Sequence, residues 1–201
     1  MTTHAILKAD IADYMARDDL TSNIPTFIRL CESRIRDQVR SRGMVTTGDL
    51  AISSQTTALP DGFLALRRFT IDSSTDRAME YRPPDTSWRN LNYAVNGSPA
   101  VYTIEGDDLV VFPAPGSAIT GKLTYLKAYD ALSADSDTNW LLANAYDVYL
   151  YGCMAEAKSF IEDDEQAAKY LSQFNDACER VNATARRGNY GQPLVRGNNA
   201  P

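Results

Sequence analysis

The sequence predicts an α+β chain, with a helical bundle built from both ends and an antiparallel β region inserted between its halves. Apolar residues recur at the 3.6-residue period of helices up to Gly43 and again from Trp140. Between them, over 44–129, that period is lost, and Thr, Ser, Gly and Pro punctuate short alternating runs. A length of 201 residues suits one large domain or two small ones. With 44% hydrophobic and 23% charged residues, a disordered, collagenous or fibrous chain is excluded. The expected division is a helical hairpin over 1–43, an inserted β domain over 44–130, C-terminal helices over 131–187 and an extended arm over 188–201.

From Thr3 to Ala16, residues Ile6, Leu7, Ile11, Tyr14 and Met15 give a short amphipathic helix with Thr3 as its N-cap. Asn23 is placed to cap a second helix that carries Pro25 in its first turn, runs to Arg42 and stops at Gly43. On that helix Ile24, Phe27, Ile28, Cys31, Ile35 and Val39 share one arc, with Arg29, Arg36 and Arg40 on the far side. In the β region two apolar runs flank Gly106-Asp107 as a tight hairpin over 100–112, and 120–129 alternates as a further strand. Leu66–Ile71 and Met79–Tyr81 are weaker strands.

Between Asp147 and Phe160 apolar side chains point in nearly every direction, so this helix must be enclosed by neighbours or by another subunit. The last helix, Asp164 to Arg187, gathers Ala167, Tyr170, Leu171, Phe174, Ala177, Cys178, Val181 and Ala185 in one arc, with Gly188 as its stop. The Gly/Asn/Pro-rich segment after it forms no core of its own and offers Tyr190, Leu194 and Val195 as docking anchors.

Charge and cysteine usage narrow the function. Residues 1–100 hold 12 basic and 12 acidic side chains and 101–201 hold 8 and 14, so the net charge of -6 arises in the second half. Free nucleic acid is not an obvious partner of the whole chain, because such affinity rests on Lys and Arg neutralising phosphates, and any DNA contact must be local. Cys31, Cys153 and Cys178 are odd in number, widely spaced and set among apolar residues, which reads as buried thiols. No apolar run approaches the roughly 18 residues of a membrane span, and no basic-then-apolar leader opens the chain, so neither a membrane location nor a signal peptide is expected.

Several patterns resemble chemical sites and fall short of them. Gly116-Ser-Ala-Ile-Thr-Gly121-Lys122 fits the start of a phosphate-binding loop, but Leu123 replaces the magnesium-binding Ser or Thr, and a strand follows where a helix is needed. Asp135-Ser-Asp137-Thr-Asn139 opens like a calcium loop, yet Trp140 and Tyr146 stand at the glycine and glutamate positions, so turn and cap roles are expected. Acids 162–165 suit a helix start. His4, the single histidine, sits in a fraying first turn and makes a poor nucleophile partner. No catalytic, cofactor or metal site is expected. The alternative to a structural role is a DNA-binding module using the arginine face of helix 24–42, where Glu32 and Asp37 interrupt the positive charge.

The order of the segments resembles the head-to-tail adaptors of short-tailed phages, the tail tubular protein A type. The matching pieces are Phe27-Ile28 with Cys31-Glu32-Ser-Arg34-Ile35-Arg36, then Leu59-Pro60-Asp61-Gly62-Phe63-Leu64 with Arg67. Gly97-Ser-Pro99-Ala-Val-Tyr102 follows with Gly106, Leu109, Pro113-Ala-Pro115 and Leu123-Thr-Tyr125, and Trp140-Leu141-Leu142 precedes Asp147-Val-Tyr149-Leu150-Tyr151-Gly152 and Glu156-Ala157. Together they cover residues 5 to 180, with one departure at Tyr146, where proline is expected before the Asp147 helix.

The resemblance implies a structural virion protein at the head-tail junction, made in the host cytoplasm. It would form a homo-oligomeric ring of about twelve copies, closed by heterologous contacts, between the portal protein and the tail nozzle. A central channel passes DNA during packaging and ejection, with transient contact only; acid facing the channel would repel phosphate. Tyr190, Leu194, Val195 and Arg196 are the candidate portal-docking arm. Arg29, Arg36, Arg40, Tyr149 and Tyr151 are the candidate subunit contacts.

Overall fold

The structure is a computed structural model that describes residues 2–71, 77–84 and 98–189. It is α+β, and the chain divides into two compact units: residues up to Gly43 with those from Tyr129 on, and Met44–Ala128.

The helical unit contains α1 (His4–Met15), α2 (Ile24–Gln38), α3 (Trp140–Asn144), α4 (Tyr146–Phe160) and α5 (Asp164–Asn189). Helix α4 touches all the others, which explains its apolar residues on every side: the chain's own helices enclose it. Its closest approach is at Gly152, where a Cβ would lie 2.4 Å from Cys31 Sγ on α2 and 3.0 Å from the Phe174 ring on α5. Ile24, Phe27, Ile28, Cys31, Ile35 and Val39 are all buried, as their shared arc requires. On α5, Phe174, Ala177, Cys178 and Ala185 are buried, while Ala167, Tyr170, Leu171 and Val181 are half-buried.

The helix ends depart from local expectation. Thr3 occupies the N-cap of α1 but its side chain caps nothing. The first-turn amides are satisfied instead from the 130–139 loop, His4 N donating to Asp137 O at 2.9 Å and Ala5 N to Asp135 O at 3.1 Å. Asn23 likewise precedes α2 without a side-chain cap bond. Helix α2 stops at Gln38, short of the expected Arg42, because Val39 turns extended (φ -91°, ψ 131°). Asn182 of α5 holds that end from across the unit: its Oδ1 accepts from Arg40 N at 2.7 Å and its Nδ2 donates to Gln38 O at 2.9 Å. At the other end of the chain α5 continues through Gly188, where a stop was expected.

The β unit has two four-stranded sheets, ordered β1-β8-β3-β4 and β2-β7-β6-β5. The strands are β1 (Val45–Ile52), β2 (Thr56–Ala58), β3 (Phe63–Ile71), β4 (Arg77–Ala78), β5 (Glu80–Tyr81), β6 (Val101–Glu105), β7 (Asp108–Phe112) and β8 (Ile119–Lys127). Ile52, Phe69, Ile71, Leu123 and Tyr125 of the first sheet share one core with Leu109 and Val111 of the second. The hairpin turns at Gly106-Asp107, with Gly106 at φ +62° and Glu105 paired to Asp108. One pairing corrects the antiparallel expectation: β5 runs parallel to β6, through Glu80↔Val101 and Tyr81↔Tyr102.

Gly121 and Lys122, the loop-like pair of the phosphate motif, lie inside β8, so no helix N-terminus faces a phosphate there. Gly121 is needed for packing: a Cβ would stand 2.6 Å from Phe69 Cε2 and 2.9 Å from Ile52 Cδ1. Gly121→Ala should therefore destabilise the β unit by about 1–2 kcal/mol, since an extra methyl overfills the core. ATP or GTP should leave the wild-type melting midpoint unmoved, as differential scanning fluorimetry would read.

Candidate functional site

The arginines of α2 separate into different roles. Arg34 forms an ion pair with Glu156 of α4, whose side chain is only 11% exposed. Arg40 turns back on its own helix end, donating to Val39 O at 2.7 Å and also to Arg36 O at 2.6 Å. Arg29 donates to Thr26 Oγ1 at 3.1 Å, and both Arg29 and Arg36 are exposed. The positive face is thus narrower than the sequence suggests.

Tyr149 and Tyr151 divide likewise. Tyr149 is 1% exposed and its hydroxyl accepts from Asn139 Nδ2 at 2.8 Å, so it serves the core of its own chain rather than a surface. Burial drives its phenol far above the ordinary tyrosine value. Tyr151 is half-buried, its ring 6.3 Å from that of Tyr170. Tyr146, in place of the expected proline, begins α4 and its hydroxyl donates to Asp10 of α1. Tyr190, Leu194, Val195 and Arg196 lie outside the described residues, as does Gly97.

The calcium-like stretch is a turn and a cap. Asp137 Oδ2 accepts from Ser133 N at 2.8 Å and Ala134 N at 2.7 Å, bonds that hold its carboxyl below the usual range. Asn139 Oδ1 caps α3 by accepting from Leu142 N at 2.9 Å, and Asp135 pairs with Lys8. In the acidic run Asp163 accepts from Ala167 N at 2.9 Å through its carbonyl and sits 3.8 Å from Lys158, as a residue flanking a helix start does. Among the described residues no group of three or more His, Cys, Asp or Glu is placed to hold a metal ion, and no helix is long and apolar enough to cross a membrane.

His4 is not on a frayed turn. It is 4% exposed; its Nδ1 donates to Ala134 O at 3.2 Å, and its buried Nε2, the nitrogen left to act as a base, has no Ser, Thr or Cys partner among the described residues. The three cysteines are free and buried. The hydrogen bond to Cys153 and burial push the Cys31 thiol well up, and burial pushes Cys178 up to about 12. None of the three should react with iodoacetamide at about pH 8 in the folded chain, whereas all three should in denaturant; mass spectrometry of the labelled protein checks this.

On its surface the helical unit offers a set of exposed apolar side chains and a cleft. Ile6 and Tyr14 on α1, Leu30 on α2, Trp140 on α3 and Phe160 at the end of α4 are exposed. The cleft, about 370 Å³, lies between the segment after α2, α3, the start of α4 and the last turns of α5. Trp140 forms one wall, stacked on Tyr129 with ring planes 3° apart, and lies so close to Gly43 that a Cβ there would be 2.3 Å from Trp140 Cδ2. Arg42 and Arg180 bring positive charge, and Arg180 is paired with Asp147.

A family model described as SU10 adaptor protein matches residues 2–197. No curated protein matches the chain.

Proposed function

Because the chain belongs to the SU10 adaptor protein family, structural phage proteins of the head-to-tail junction, we propose that its copies close into a ring between the portal protein and the tail nozzle. The family match over nearly the whole chain carries this reading. On the order of twelve copies meet through heterologous contacts, and the channel they enclose passes DNA during packaging and ejection, with transient contact only. Arg29, Arg36 and Tyr151 contribute to contacts between copies, the exposed arginines facing the acid of a neighbour. Tyr190, Leu194, Val195 and Arg196 form the arm that docks on the portal. The protein works through surfaces and transforms no substrate.

The mass of the purified chain, measured with and without portal, tests the ring. A chain truncated after Arg187 should bind portal at least about tenfold more weakly, equivalent to 1.4 kcal/mol or more. Undiminished binding removes the arm from the interface. Arg36→Glu should leave affinity for duplex DNA unchanged; a loss with a steep salt slope would instead favour a DNA-binding module.

A further inference from the structure

The cleft and the corner joining α4 to α5 carry opposite charge, and the corner exposes an aromatic ring of a size the cleft can hold. The corner carries Phe160, 56% exposed, followed by half-buried Ile161 and by Glu162, Asp163, Asp164 and Glu165, with Lys158 as the neighbouring cation. It is an apolar knob, its ring 5.6 Å from that of Phe27 on α2, with a run of acids following it. The cleft is lined by Trp140 and small side chains, and by Arg42 and Arg180 against the single acid Asp147. Its volume of about 370 Å³ accommodates a phenyl ring.

We propose that the corner of a second copy seats Phe160 in this cleft, with its acids facing Arg42 and Arg180. An aromatic anchor in a pocket at the centre of charged surroundings is the arrangement that concentrates binding energy in protein interfaces. Electrostatic complementarity fixes its orientation. A copy cannot fill its own cleft, because Asp147 in the cleft wall and Phe160 stand at opposite ends of α4, about 20 Å apart at 1.5 Å per residue. Knob and hole are different surfaces at opposite ends of one helical hairpin. The contact is therefore heterologous and repeats from copy to copy, as a closed ring demands.

This inference rests on the ring assembly proposed above, and the test separates the two. Full-length chain with p-benzoylphenylalanine in place of Phe160 is irradiated, alone and on portal, and its cross-linked peptides are mapped. Cross-links to a second copy at Trp140 or between Ala177 and Ala185 are expected. Phe160→Asp removes the knob, and Thr184→Trp, at an exposed lining residue, fills the hole. Each variant alone should lose at least tenfold in assembled fraction, while a mixture of the two should give one-to-one dimers and nothing larger, which also shows that both are folded. Wild-type oligomers whose residue 160 cross-links only elsewhere, such as to portal, overturn the knob-and-hole contact and leave the ring standing. So do variants that assemble like wild type. Wild-type chain that stays monomeric both alone and with portal overturns the ring and this contact together.

Discussion

Alanine at Gly152 should lower the stability of the helical unit by about 3 kcal/mol, seen as a fall of about 12 °C in its unfolding midpoint. The added Cβ would stand 2.4 Å from Cys31 Sγ and 3.0 Å from the Phe174 ring, so α2, α4 and α5 must all give way. Cys31 and Phe174 are completely buried, and neither side chain has free space to move into. The cost should be partly relieved by removing the obstructing sulfur. Gly152→Ala with Cys31→Ala should be more stable than the sum of the single changes predicts, the mark of residues in contact. A midpoint unchanged by Gly152→Ala would mean that the three helices are not packed this closely.

Asn139→Ala should cost about 2–4 kcal/mol, the loss of a helix cap added to that of a buried hydrogen bond. Asn139 Oδ1 holds Leu142 N at 2.9 Å, and Nδ2 reaches both Tyr149 Oη at 2.8 Å and Asp130 O at 3.1 Å. Truncation frees the first turn of α3 and strands a phenol that is 1% exposed. Asn139→Asp keeps the cap acceptor but not the amide donor, so its denaturant midpoint should fall between those of wild type and alanine. Equal midpoints for the aspartate and alanine variants would assign the whole effect to the donor side.

Much of the fold was legible because it rests on local pattern. The arc from Ile24 to Val39 is buried as its period demands, the hairpin turns at Gly106-Asp107, and Asn139 caps a helix. What escaped depends on partners far along the chain. The end of α2 is set by Asn182, 142 residues from Arg40, and the amides expected to need Thr3 are met by carbonyls at Asp135 and Asp137. Strand β1 went unread because its run Val-Thr-Thr-Gly-Asp-Leu-Ala-Ile, on a sheet edge, alternates weakly. Of the candidate site, Arg29 and Arg36 are exposed as expected, while Arg34 and Arg40 are spent within the chain and Tyr149 is core. Apolar residues on every side of α4 marked its burial but could not say whether chain or copy would cover it. The cleft was invisible, since its walls come together from four separate segments.

The helical unit is made from the two ends of the chain, and this has a consequence for synthesis. Cys31 meets Val148 and Tyr149 across 117 and 118 residues, whereas the β unit pairs strands within Met44–Ala128. On the ribosome α1 and α2 emerge well before α4, so the side chains they bury against it, Cys31 among them, wait for it uncovered. The β unit, whose strands pair within one continuous segment, is translated whole in between, so helices made before it settle after it.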